Sequence, residues 1–181
     1  MHLPRRACLM LTVLLFSVTF IRFVPAQEKT ATTIEFRKLK ALLPDSFGKF
    51  ERTSSSGERS SAFGISVSYA EATYGNDDGG QITIKLTDMG GMPGISAMAS
   101  GAWASVEMER ETDTGFERTT EYKGYKVMEE YDRTERCGEI SLMVGSRISI
   151  EVSGTDVDFE SLRQALDALP LERIASLAAN P

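Results

Sequence analysis

Hydrophobic positions along the chain change period several times, and each change marks an element. Ile34, Leu39, Leu42 and Leu43 fall on one side of a short helical pattern with Arg37, Lys38 and Lys40 on the other, and Pro44 ends it. Residues 53–61 (TSSSGERSS) contain no apolar member and read as a surface loop or strand connection, with an extra strand near Phe50 left open. Period two then takes over. Ile65, Val67 and Tyr69 alternate with serines, Ile82, Ile84 and Leu86 alternate with Thr83, Lys85 and Thr87, and the Gly/Asn/Asp-rich residues 75–80 between them predict a β-hairpin.

Residues 89–94 (Met-Gly-Gly-Met-Pro-Gly) break the strand pattern ahead of a second helix. Ile95, Met98, Ala99, Ala102, Trp103 and Val106 recur at the spacing of one helical face, which predicts a helix lying on an apolar surface. From Phe116 the period returns to two. Phe116, Arg118, Thr120 and Tyr122 share one phase, Lys123-Gly124 supplies a turn, and Tyr125, Val127, Glu129 and Tyr131 share the next. The clearest hairpin has Ile140, Leu142 and Val144 on one arm and Ile148, Ile150 and Val152 on the other, about Gly145-Ser146. A closing helix follows, capped by Asp156 or Asp158, with Phe159, Leu162, Ala165, Leu166 and Leu169 on its face; Pro170 stops it, and a last short turn or helix follows.

Adjacent strands joined by short turns require an antiparallel sheet, and its apolar face must be covered by the helices. The expected class is α+β, with an antiparallel sheet of about six to seven strands covered by about three helices.

Ahead of these elements, Arg5 and Arg6 precede an apolar run over residues 7–21, and Val24-Pro25-Ala26 places small residues at the signal-peptidase positions. The run, interrupted by Arg22, is about 15 residues and falls short of the ~20 that a spanning helix needs. The expectation is a signal peptide at 1–26 and one α+β domain at 27–181, with its core at about 33–170, in the periplasm or outside the cell. Retention of the segment as an anchor is the alternative. Cleavage removes His2, Cys8 and three arginines, so the net charge moves from −6 to −9. An acidic domain disfavours both nucleic acid and anionic membrane surfaces as partners, through like-charge repulsion, and after cleavage no stable membrane insertion is expected. Loss of His2 excludes Ser-His-Asp and Cys-His catalysis. Cys137 is left with no intrachain partner, so it is a free thiol or an intermolecular link.

Few constellations carry chemistry. Carboxylates at Glu107, Glu109, Glu111 and Asp113, and again at Glu129, Glu130 and Asp132, run along single elements and read as a solvated acidic face. Residues 76–80 lack the alternating spacing of a calcium loop and read as a turn. Met89 and Met92 flank Gly90-Gly91, and with Gly94 they form a candidate binding loop; two thioethers make a weak soft-metal site, and methionine more often fills cores. No cofactor is expected.

The phrases Leu42-Leu43-Pro44-Asp45, Ala70-Glu71-Ala72-Thr73-Tyr74, Glu111-Thr112-Asp113-Thr114-Gly115-Phe116 and Val144-Gly145-Ser146-Arg147 resemble those of an exported bacterial protein family without an assigned activity. The element order resembles the Mog1/PsbP-like fold, which implies a sheet flanked by helices. Neither resemblance carries a site residue. The function expected is a non-catalytic exported module that binds a protein or small ligand through the sheet face or the loop at 89–94. The alternatives are a small hydrolase or lyase built on Glu129, Tyr131 and Arg147, or a weak methionine-based metal binder.

Overall fold

A computed structural model describes residues 33–181 apart from Gly64 and Pro93. The leader expected at 1–26, with His2 and Cys8, lies outside the described residues. Helix α1 (Phe36–Lys40) is followed by strands β1 (Ser46–Phe47), β2 (Phe50–Ala62), β3 (Ile65–Gly75) and β4 (Gln81–Gly91), then helix α2 (Ile95–Ser105). Strands β5 (Glu109–Thr112), β6 (Gly115–Tyr122), β7 (Tyr125–Asp132), β8 (Cys137–Val144) and β9 (Ile148–Thr155) lead to helices α3 (Phe159–Asp167) and α4 (Leu171–Ala179). All pairings are antiparallel, and the order across the sheet is β1-β2-β3-β4-β9-β8-β7-β6-β5.

The α+β class and the antiparallel sheet agree with the sequence pattern, but the counts do not. There are nine strands rather than six or seven and, among the described residues, four helices rather than three. The largest difference is β2, whose Ser-rich residues pair with β3 from Glu51 to Ala62. Beyond Glu51 no strand lies on its other side among the described residues. An edge strand with most of its side chains in water has no apolar face to reveal by alternation. The fully exposed β5 escaped for the same reason, β1 is only two residues long and too short to alternate although its Phe47 is buried, and α4 forms beyond Pro170 where a last turn or helix was open.

One face of the sheet holds the core. Cross-strand rows run Tyr74–Ile82–Gly154, Ala72–Ile84–Val152–Ile140 and Ala70–Leu86–Ile150–Leu142–Val127, and the apolar members are buried. Helix α1 packs on β2 and β3, α3 on β8, β9 and β4, and α4 on β8. Asp158 caps α3 by accepting from Ser161 N at 2.8 Å, and the hydrogen bond from Ser161 Oγ at 2.6 Å, with that backbone bond second, holds the Asp158 carboxyl below its usual range. Tyr74 is buried at the far side of the core; its hydroxyl donates to Pro44 O at 2.8 Å, and burial pushes the phenol up to about 12. The hairpin turn after β3 is closed by Asn76 Oδ1, which accepts from Asp78 N and Gly80 N at 2.9 Å each. That arrangement is the turn expected there.

The opposite face is polar and half-exposed. Glu117, Glu130 and Glu139 lie directly opposite one another on β6, β7 and β8, an arrangement in which like charges repel. Burial, then the nearby Glu151 and Glu130 carboxylates, push the Glu139 carboxyl above the ordinary glutamate value. A raised pKa in the folded state means that Glu139 favours folding below the ordinary glutamate pKa, and that this contribution is lost as pH rises through the raised value. Glu139→Gln is therefore expected to be more stable than the parent at pH 7, with the gap closing as pH falls into the carboxylate range. Urea midpoints at the two pH values check it, and a gap that widens on acidification would contradict the assignment.

Candidate functional site

The candidate loop at 89–94 begins where the inner row of β4 ends. Ile82, Ile84 and Leu86 set the phase of that row, and Asp88 continues it as a buried carboxylate. Arg147, in the β8–β9 turn, grips it with two parallel bonds, Nε to Oδ1 and Nη2 to Oδ2, each 2.8 Å. Ile34 N donates to Oδ2 at 2.5 Å and Gly90 N to Oδ1 at 2.8 Å. Charge-assisted bidentate pairs of this kind are the strong ones, and each backbone donor adds geometric definition. Gly90 is a requirement of the site: a Cβ there would fall 2.2 Å from Arg147 Cζ.

The rest of the loop turns the chain into α2. Met92 N donates to Met89 O at 3.0 Å, Ser96 N to Met92 O at 2.9 Å and Met98 N to Gly94 O at 2.9 Å. Gly94 has φ 95, in the region that favours glycine. Met89, Gly90, Gly91, Met92 and Gly94 thus form a turn whose first residues are bolted to Arg147, with Met89 N also donating to Arg147 O at 2.8 Å. No group of three or more His, Cys, Asp or Glu side chains among the described residues is arranged to hold a metal ion.

The residues considered for hydrolase or lyase chemistry occupy different structural settings. Glu129 belongs to the inner face and is buried, a correction to its reading as part of a solvated acidic run. Arg118 Nε reaches it at 2.8 Å and Arg163 Nη2 bonds its other oxygen. Both guanidinium groups lie over aromatic rings, Arg118 over Phe116 at 4.4 Å and Arg163 over Phe159 at 5.4 Å. Tyr131 packs against Phe116 and Phe159, and its hydroxyl donates to Val157 O at 2.8 Å. Burial raises the Tyr131 pKa, the largest of several influences. The register puts Glu129 level with Ile140 and Val152, while Arg147 lies beyond Ile148 at the sheet's end with Asp88. Cys137 is half-buried at the start of β8, opposite Asp132.

What the sequence pattern does not reveal is the concentration of exposed apolar side chains at this same end. Phe63 is fully exposed, Met98 is 73% exposed and Ile65 43%. Ser66 pairs with Gly91, so Phe63 and Ile65, at the end of β2 and start of β3, adjoin the 89–94 loop, and Met98 follows one helical turn later. Helix α2 does not sit down as its spacing suggests. Trp103 packs partly against the core, its Nε1 donating to Lys126 O at 3.3 Å. Met98 and Ala102, on the same predicted face, are exposed. Helical spacing establishes that a face is apolar, not that the same chain covers it.

Searches against protein-family models, curated proteins and solved structures find no match for this chain.

The Asp88 network is expected to dominate local stability. Asp88→Asn removes the anion that Arg147 binds, and breaking a buried pair from one side costs about 3–5 kcal/mol. Urea denaturation should show a loss in that range, and backbone amide exchange should rise first at Ile34 and Gly90. An unchanged midpoint would count against the network.

Proposed function

We propose that this is an exported, non-catalytic binding module whose contact surface is the end of the sheet around the 89–94 loop, the β2–β3 tip and the first turn of α2. The observation that carries the reading is the placement of Phe63, Ile65 and Met98, three of the four large hydrophobics exposed among the described residues, at that one end. The fourth, Met108, precedes β5 at the opposite edge. Scattered single apolar residues are normal on a surface, whereas a group on adjacent elements marks a place of contact.

The Asp88–Arg147 network supports the reading because it fixes the root of the loop and the path of the chain at Ile34. A contact surface built on a rigid root loses less entropy on binding than a mobile one. The export signal expected at 1–26 gives the compartment.

Photo-crosslinking probes at positions 63 and 98, with a third at position 77 in the turn at the other end of the sheet, test this in exporting cells. Adducts are expected from 63 and 98 and none from 77. Adducts from 77 alone, or equal labelling at all three positions, would overturn the placement.

A further inference from the structure

We infer that α2 is a latched strap: Lys126 holds it shut, and it lifts from a sheet that stays folded when the Lys126 ammonium moves to Glu121. The helix contributes little to its own stability. It is 11 residues long, a marginal length for a helix standing alone in water. No side chain caps its N-terminus, its first turn holds no acid and its last turn no base. Gly101 weakens a helix interior relative to alanine, and a Cβ there would meet nothing within 4 Å, so close packing does not require the glycine. The hydroxyls of Ser100 and Ser105 turn back onto Ala97 O and Gly101 O, bonds that loosen a helix rather than tie it to a neighbour.

The sheet compensates only at the helix ends. Ala97, Met98, Gly101, Ala102, Ala104 and Ser105 are exposed, while Ser96 is buried and Trp103 packs partly against the core. One residue of β7 holds the last turn down. Lys126 Nζ donates to Ala104 O at 2.8 Å and to Val106 O at 2.6 Å, and Lys126 O accepts from Trp103 Nε1 at 3.3 Å. A cation on the terminal carbonyls supplies, from a neighbouring strand, the charge that α2 lacks in its own last turn. At the other end, Gly94 at φ 95 supplies a pivot, while Arg147 and Asp88 keep Met89 and Gly90 in place.

The same ammonium has a second place to go. Glu121 lies directly opposite Lys126 on β6, where opposite charges attract. It is exposed and, among the described residues, has no ion pair. Glu107 and Glu109 line the same open cleft of about 690 Å³ with Lys126 and Glu121. Arg118, also at the cleft, is committed to Glu129 at 2.8 Å. Lys126 stands on a flexible four-carbon stem, so moving Nζ from the helix carbonyls to Glu121 exchanges one set of charge-assisted bonds for another. The ammonium is satisfied in both states, and the helix is tied down in only one.

Amide exchange of the exported protein, followed residue by residue, tests the latch with the K126M and E121Q variants. In the parent, the amides of Ala102 and Trp103 are expected to exchange faster than that of Ile150, by an opening that low urea scarcely accelerates. K126M keeps the aliphatic stem and loses the ammonium; it should speed exchange in α2 by about ten-fold or more, with Ile150 unchanged. E121Q should slow exchange in α2 by about two-fold, because the open state loses its carboxylate. Exchange of Ala102 and Trp103 in step with Ile150 overturns the strap. Equal acceleration of α2 and Ile150 in K126M overturns the latch, and α2 exchange that is unchanged or faster in E121Q overturns the move to Glu121. E121Q, a change at an exposed position, carries the test if K126M fails to fold.

Discussion

A carboxylate taken out of water is tolerated only where donors converge on it, and Asp88 is where that requirement organises this molecule. Arg147 reaches it from the β8–β9 turn, Gly90 from the chain leaving β4, and Ile34 from the segment ahead of α1. Three stretches far apart in sequence are thereby pinned to one end of the sheet. The loop at 89–94, the approach of the N-terminal chain and the last β-hairpin cannot shift independently. The apolar residues that surround them inherit that definition.

Across the sheet, Glu129 solves the same problem differently. Its two guanidinium partners come from β6 and α3, and both lie on the aromatic rings of Phe116 and Phe159. The pair of arginines therefore joins helix to sheet where the core changes from aliphatic to aromatic side chains. Asp88 fixes an end, and Glu129 fixes a layer. Both charges are paired within the fold.

Much of the sheet was legible because its inner rows are regular. The Ile140–Val144 and Ile148–Val152 arms alternate cleanly about Gly145-Ser146, and they form β8 and β9 in the register that pattern requires. Both buried acids also left a trace: Asp88 keeps the phase of Ile82, Ile84 and Leu86, and Glu129 keeps that of Val127 and Tyr131. Glu129 nonetheless also reads with Glu130 and Asp132 as a solvated run, although it alone of the three shares the buried phase. What sequence could not show was β2, whose polar composition follows from exposure, or the uncovered side of α2, because an apolar stripe is the same whether its partner is internal or external. Phe63 gave no periodic signal at all, being a lone aromatic beyond a strand end.

The composition of β2 bears on how the protein survives in a crowded compartment. A long edge strand offers unpaired backbone groups to any other extended chain, and an apolar edge would invite stacking into aggregates. Here the open edge is built of serines with Gly57, Glu58 and Arg59, and the apolar side chains wait until the strand has ended. The attractive groups are thus held at a point rather than along a line. A second copy arriving edge to edge meets a charged, hydroxyl-rich border with no apolar side chains to bury, so the stickiness of the tip does not become a template for fibres.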